Sequence, residues 1–472
     1  MAASRGEQLD AHLCERRRVV AALLTGSASD EAAPRPFRAV LPGLVAGAVL
    51  LAGFAVFGMV RPGTPPGWRG PGSLLVGRES AGRYVQLDGR LHPVLNVASA
   101  RLLLDPGRFR VATVPDRALD RLPRGPVLGI PGAPDRLPAV RDLRRPQAWT
   151  VCALPPAAPG GEPGTRLTLG AAPVHGRLGP ERALFVRAPS GDHLVAGGRR
   201  HLVRVPTVRT ALGLDGVQPS PVGSAWLATV EDGGELTHPD IAGHGRPVTV
   251  AQGLPEHLRV AGTVLRVRGR AQEQHYVVTP GGIVPISPLI ATLLLAGPPA
   301  RVLPNVAAPG DAVPVGAAEL ADAVRPEATV PGTRTWPVEA PVPVNPGAGA
   351  AVCNTYDPSP SSPAGHLFHS LEPGPWHADR PEEAAVRVPP GGGALYREVT
   401  GGPEDTAGAV YLVTDTGRRH LVVPAPEGGS AQTRTRLGYG DAEPFPLPRA
   451  WSMLLPPGPA LDPEAARRPY RP

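Results

Sequence analysis

Side chains able to do chemistry are sparse in this chain and fall in no catalytic spacing. His92, His175, His193, His201, His238, His244, His257 and His275 are scattered. None sits in H-E-x-x-H, nor in H-x-x-x-H with a supporting cysteine, the spacings that set imidazoles on one helix face around zinc. A G-x-S-x-G elbow, which would raise a serine nucleophile on a strand-to-helix turn, is absent. All 48 basic residues are arginine, so a phosphate loop would lack the lysine that reaches the β- and γ-phosphates. Gly347-Ala348-Gly349 has no strand–helix context, and Gly391-Gly392-Gly393 reads as a flexible turn. Asp88 and Asp135 read as carboxylates that bond turn backbones. His92, beside Pro93, reads as a packed or capping histidine at a strand end, with a catalytic or metal role as the alternative. No catalytic residue, cofactor site or metal site is expected.

The cysteines say more. Cys14 lies before an uncharged run, Ala39 to Val60, and Cys152 and Cys353 lie after it. A helix over that run would rise ~33 Å, enough for a hydrocarbon core of about 30 Å. The run is too long and too far from the N-terminus for a secretory signal, and no A-x-A site follows it. Six arginines precede it (Arg5, Arg16, Arg17, Arg18, Arg35, Arg38) against Arg61, Arg69 and Arg78 just after, which favours a cytoplasmic N-terminus. Cys14 would then stay reduced. Cys152 and Cys353 would face an oxidising space, either bridged or as two separate buried thiols.

Net charge is +7, without the concentrated basic stripe of a nucleic-acid binder. Anionic cell-wall polymers remain as weak partners. Pro (63) and Gly (58) are abundant, yet apolar residues reach 42% and cluster, which points to a turn-rich, β-rich fold with Val, Leu and Ala cores. Residues Glu7 to Leu24 read as an amphipathic helix, docked on a membrane surface or on a partner.

One pattern recurs: an apolar strand, a Gly turn, a second short strand, then in most copies a helical stretch. It appears at Arg83–Gly89, Leu184–Gly191, His275–Gly282 and Val410–Gly417. One such hairpin buries little apolar surface alone, so several must pack together.

These residues, in this order, resemble the EccB family, a membrane component of the actinobacterial type VII (ESX) secretion system. The densest part runs Tyr84-Val85-x-Leu87-Asp88-Gly89-x-Leu91-His92-Pro93-Val94-Leu95-Asn96-Val97-Ala98-Ser99-Ala100-Arg101-Leu102. Gly129-Ile130-Pro131-Gly132-Ala133-Pro134-Asp135-x-Leu137-Pro138 follows, then Trp149 and Cys152. Trp68 and Gly72 precede it.

The resemblance implies one N-terminal transmembrane helix plus an elongated, β-rich α+β extracytoplasmic domain. About four hairpin–helix repeats would surround a central β domain closed by a Cys152–Cys353 bridge. The corresponding segments are a cytoplasmic tail (1–38), a transmembrane helix (39–60), repeat one (61–110) and the first part of the central domain (111–180). Repeats two and three (181–300), the second central part (301–390), repeat four (391–455) and a Pro-rich tail (456–472) complete the chain.

The implied role is a scaffold subunit in the inner membrane complex. Its partners would be EccC, EccD, EccE, a mycosin protease and further copies of itself. A membrane-anchored nucleotide hydrolase is the alternative, and a peptidoglycan-binding module the third reading.

Overall fold

In the computed structural model, residues 5–25, 36–60, 65–143, 147–154, 156, 161–170, 176–269, 273–297, 311–346, 350–359, 362–372, 385–400, 407–426 and 428–471 are described. The Gly347–Gly349 cluster lies outside them. The chain divides into two units, Met1–Pro66 and Gly67–Pro472.

The first unit is two helices. The first, α1 (Arg5–Thr25), covers the expected amphipathic segment, and its Leu13, Val19, Val20, Leu23 and Leu24 are exposed. The second, α2 (Pro36–Val60), takes in the whole uncharged run, with Pro42 inside it. Its side chains are described only over 41–54, a stretch shorter than a bilayer requires. Among the described residues no helix is long and apolar enough to cross a membrane. The spanning expectation for 39–60 therefore rests on the sequence.

The second unit is built of five sheets. Along the chain, β1 (Ser73–Gly77), β2 (Arg83–Leu87), β3 (Arg90–Pro93) and β4 (Arg110–Val114) form the first, with helix α3 (Val97–Leu103) between β3 and β4. Strands β5 (Ala148–Leu154) and β6 (Gly164–Gly170) begin a different sheet. The second four-strand pattern follows in β7 (Arg182–Ala188), β8 (Gly191–Ala196), β9 (Arg199–Leu202) and β10 (Ser220–Pro221), with β11 (Glu231–Glu235) added beside β9. The third is β12 (Val264–Arg268), β13 (Glu273–Thr279), β14 (Gly282–Ile286) and β15 (Val313–Pro314). Strand β16 (Val342–Pro343) then pairs with β7. Next, β17 (Ala351–Ser359), β18 (Ser362–Glu372) and β19 (Val386–Arg387) complete the sheet of β5 and β6. The last sheet is β20 (Gly393–Val399), β21 (Val410–Thr414), β22 (Arg419–Leu421) and β23 (Phe445–Pro448).

Four of these sheets share one topology. Three strands form an antiparallel meander, a helix follows, and a fourth strand returns parallel to the first. The helices in the later three are Pro206–Ala211, Pro288–Ala296 and Gly429–Leu437. A parallel fourth strand requires a crossover, and the helix supplies it.

The sequence placed its second hairpin copy on Leu184–Gly191, the turn from β7 to β8. The topological counterpart of β2–β3 is instead β8–β9, one strand later. Both hairpins of a meander read as apolar strand, Gly turn, apolar strand, so local pattern alone does not separate them.

The segment expected as a loose Pro-rich tail (456–472) is packed. Leu461 and Ala466 are fully buried. Arg419 and Val422 bridge to Pro457 and Leu461, and Leu128 bridges to Pro469. The Tyr470 amide donates to the Val127 carbonyl at 2.8 Å. The end of the chain thus straps the fourth like sheet to the first. Two apolar residues among many prolines suffice, because burial rather than composition decides order.

Two cores tie four of the five sheets together, and a third packs Leu289 and Leu293 of the remaining unit on Phe185 and Leu194. One gathers Trp149, Val151, Leu167, Leu184, Val195, Tyr396, Phe445 and Trp451, joining the sheet of β5 to the second and fourth like sheets. Trp149 packs edge-on to Tyr396, with ring centroids 5.5 Å apart, a geometry the ring quadrupoles favour. The other core joins Leu74, Val85 and Leu102 to Leu395, Leu412 and Leu461.

Candidate functional site

The dense motif of the sequence folds into a clasp on the first sheet. Asp88 and Gly89 take positive φ (49° and 74°) in the two-residue turn between β2 and β3, the conformation this hairpin requires. Tyr84 and Pro93 face each other across β2 and β3, as do Val85 and His92. Asn96 is the N-cap of α3. Its Oδ1 accepts from the Ser99 amide at 2.9 Å, and its Nδ2 donates to the Ile130 carbonyl at 2.7 Å. Ser99 Oγ accepts from the Ile130 amide at 2.9 Å. The Pro134 carbonyl takes the Ala98 amide.

Asp135 accepts from Arg83 at 2.6 Å and from the Val97 amide at 3.2 Å, at the start of α3, where a carboxylate is favoured. Gly129 and Gly132 carry positive φ (125° and 71°), and they shape the strap between Ile130, Pro131 and Pro134. The polar side chains Asn96, Ser99 and Asp135 are thus directed at backbone and at Arg83.

Asn96→Ala removes the cap and one of two donors to the Ile130 carbonyl, which keeps the Ala133 amide at 3.2 Å. The expected cost is about 2 kcal/mol, read as a lower urea midpoint at unchanged slope.

His92 belongs to a set that the sequence left scattered. Its Nδ1 lies 3.0 Å from the Pro126 carbonyl, and its ring rests where a side chain on Gly125 would have to go. His201 stands in the same relation to Gly233, and His420 to Gly458. The strands agree: Leu91 bridges Arg124, Arg200 pairs with Asp232, and Arg419 bridges Pro457, each one residue before its His and Gly. In the third sheet Ile283 bridges Val324, so Val284 and Arg325 occupy the corresponding places. The signal was present as Gly-Arg-x-His at Gly89–His92, Gly198–His201 and Gly417–His420. Burial lowers the His201 pKa to about 4 and moves His420 in the same direction. In His201 and His420 burial thus favours the neutral ring, packed against glycine.

Cys152 on β5 faces Cys353 on β17 directly. They are bonded, with Cα atoms 4.1 Å apart and a sequence separation of 201. Both are buried. Beside them the paired residues Asn354 and His369 start a buried polar chain. His369 Nδ1 donates to Asn354 Oδ1 (2.8 Å), Asn354 Nδ2 to Thr229 Oγ1 (2.9 Å), and Thr229 Oγ1 to the Trp226 carbonyl (2.7 Å). The chain links this sheet to the helix Ser224–Ala228, which follows β10. Burial lowers the His369 pKa to about 4. The Glu372 carboxylate lies within 4.8 Å of both sulfurs, and burial raises its pKa. With the sulfurs bonded to each other, neither is a thiolate, so the three do not form a metal ligand set.

Like sheets held by clasps, one cross-strand disulfide and polar groups turned inward define a scaffold of packed sheet units. The family model described as "Type VII secretion system ESX-1, transport TM domain B" matches residues 2–470. The chain belongs to this EccB family.

It is 31% identical over 467 residues to "ESX-3 secretion system ATPase EccB3" of Mycobacterium tuberculosis (strain ATCC 25618 / H37Rv), covering 90% of this chain and 81% of that protein. The protein of the same name from Mycolicibacterium smegmatis is 29% identical over 454 residues, covering 90% and 82%. Among solved structures, the "EccB3 dimer from the ESX-3 core complex" aligns with a TM-score of 0.67 at 28% identity, over 84% of this chain and 99% of that one. A chain of an "intact ESX-5 inner membrane complex" aligns with a TM-score of 0.66 at 23% identity, over 100% and 96%, and shows the same fold.

Proposed function

We propose that this chain is a single-pass structural subunit of a type VII secretion membrane complex. The basic tail would lie in the cytoplasm, α2 would span the membrane, and the Gly67–Pro472 unit would stand outside. The observation that carries this reading is the family match over 2–470, which takes in the tail, the apolar run and the whole sheet-built unit. Its mechanism is binding. The second and fourth like sheets pack on the disulfide-closed sheet, the first on the fourth, and the helix of the third on the second. They present a rigid body to further copies, to subunits of the EccC, EccD and EccE kinds, and to a mycosin.

The mycobacterial relatives carry the word ATPase in their name. The place in this chain to examine for that is a cleft of about 420 Å³ beside helix Gly429–Leu437. Gln432, Arg436 and Arg467 face it, but so do Asp462 and Glu464, whose charge repels a polyphosphate. With no lysine or phosphate loop, binding without hydrolysis fits the residues better.

The test is topological. In intact cells of the native host, a membrane-impermeant maleimide leaves Cys14 unlabelled until the membrane is opened. Cys152 and Cys353 react only after reduction and unfolding. Labelling of Cys14 in intact cells, or of the other two without reductant, contradicts the proposed orientation.

A further inference from the structure

Each of the four like sheets ends on a fourth strand that forms an edge in the sheet order. Three of these strands carry proline: Pro221 in β10, Pro314 in β15, and Pro446 and Pro448 in β23. Proline offers no N–H to a further strand, so those edges are blunted. The fourth strand of the first sheet differs. β4, Arg110-Val111-Ala112-Thr113-Val114, has no proline, and all five residues are in register with β1. The Arg110 amide donates to the Gly72 carbonyl at 3.0 Å, and the Val114 carbonyl accepts from the Arg78 amide at 2.9 Å. Residues 110, 112 and 114 therefore turn their backbone groups toward β1. By alternation Val111 and Thr113 turn theirs to the open edge. Val111 is 59% exposed, and Thr113 is exposed too.

We propose that this edge pairs with itself: β4 of one copy adds antiparallel to β4 of a second copy, centred on Ala112. The parity fits, because Val111 then meets Thr113 of the second copy, and both carry outward N–H and C=O groups. Two such pairs form about the twofold axis, giving four backbone hydrogen bonds and two β-branched side-chain pairs.

The same register sets Arg110 against Val114 rather than against another arginine. Asp116, just past β4, turns its carboxylate inward, where it accepts from the Ser80 amide at 2.9 Å, so the contact is one of backbone and β-branched side chains. Five residues a side is less than an independent dimer requires. The contact is one element of assembly between copies tethered in one membrane, where effective concentration is high. It therefore rests on the subunit reading above.

The test uses the full chain in detergent, in a Cys14→Ser background. The double variant Val111→Cys/Thr113→Cys is oxidised mildly. A bond between positions 111 and 113 of one chain leaves a monomer on a non-reducing gel, so a covalent dimer reports the pairing of the two strands. Val111→Pro, whose missing N–H faces the open edge, raises the dimer dissociation constant at least tenfold at unchanged melting temperature. A dimer whose new cysteines do not bond, and which Val111→Pro leaves intact, overturns β4 pairing while the subunit reading stands. Cross-linking only to a different subunit assigns the edge to that subunit and overturns self-pairing. A chain that stays monomeric and unassociated in membranes overturns both.

Discussion

Cys152→Ser, Cys353→Ser and the double variant are all expected to lose about 3–5 kcal/mol of stability, and the same amount as one another. The bond closes a loop spanning a sequence separation of 201 residues, and cross-linking a loop of that length removes about 5 kcal/mol of unfolded-chain entropy before any native strain. The second and third like sheets lie inside that loop, since β7 to β15 fall between β5 and β17. Without the bond, the excursion is held by the core around Trp149, Tyr396 and Phe445, the buried Asn354–His369–Thr229 chain and strand pairing. Either single substitution already breaks the bond, so the two effects are fully coupled and do not add. Urea unfolding under non-reducing conditions reads this directly. Near-wild-type midpoints for all three variants would show that packing alone closes the structure.

The second large effect is acid sensitivity. His201 and His369 are buried with folded pKa values lowered from 6.5 to about 4. In the unfolded chain each binds a proton near pH 6.5, while in the folded chain each stays neutral until about pH 4. Stability is therefore complete above pH 6.5 and falls as pH drops through the window from 6.5 to 4. The slope is about 1.4 kcal/mol per unit for each histidine, or roughly 3 kcal/mol each across the window. His193, His244 and His420 are shifted in the same direction by burial and steepen the fall. Urea midpoints at steps from pH 7.5 to 4.5 should decline continuously, and His201→Asn should reduce the slope. A flat profile would mean that these rings are protonated in the folded state and that the buried packing against Gly233 and Asn354 is misread.

The parts of the fold that were legible in the sequence are those that local pattern determines. The β2–β3 turn follows from Asp88-Gly89, a pair whose positive φ the hairpin needs. The Asn96 cap was not read from the sequence, where Asn96 figured only as a motif residue, although its place before Val97–Leu103 signals it. The pairing of Cys152 with Cys353 was foreshadowed by compartment and count.

Other features depend on contacts far apart in the chain, and no window of sequence contains them. β1 was not read as a strand of the first like sheet, because its partners are about ten residues ahead in β2 and a helix further on in β4. The hairpin at Leu184–Gly191 was matched to the wrong strand pair because both turns of a meander look alike. The C-terminal segment was read as a tail because its prolines outnumber the two apolar residues, Leu461 and Ala466, that anchor it. The Gly-Arg-x-His recurrence was readable, but its meaning lay in Gly125, Gly233 and Gly458, some 30 residues or more downstream.

The account's central claim is that this chain acts by holding other membrane subunits together. The direct measurement is affinity purification of the tagged full chain from detergent-solubilised membranes of its native host, with the eluate resolved by size and identified by mass spectrometry. The account predicts a large complex in which other type VII membrane subunits co-elute at a constant ratio to this chain. Recovery of the chain alone, or in the soluble fraction, would contradict it.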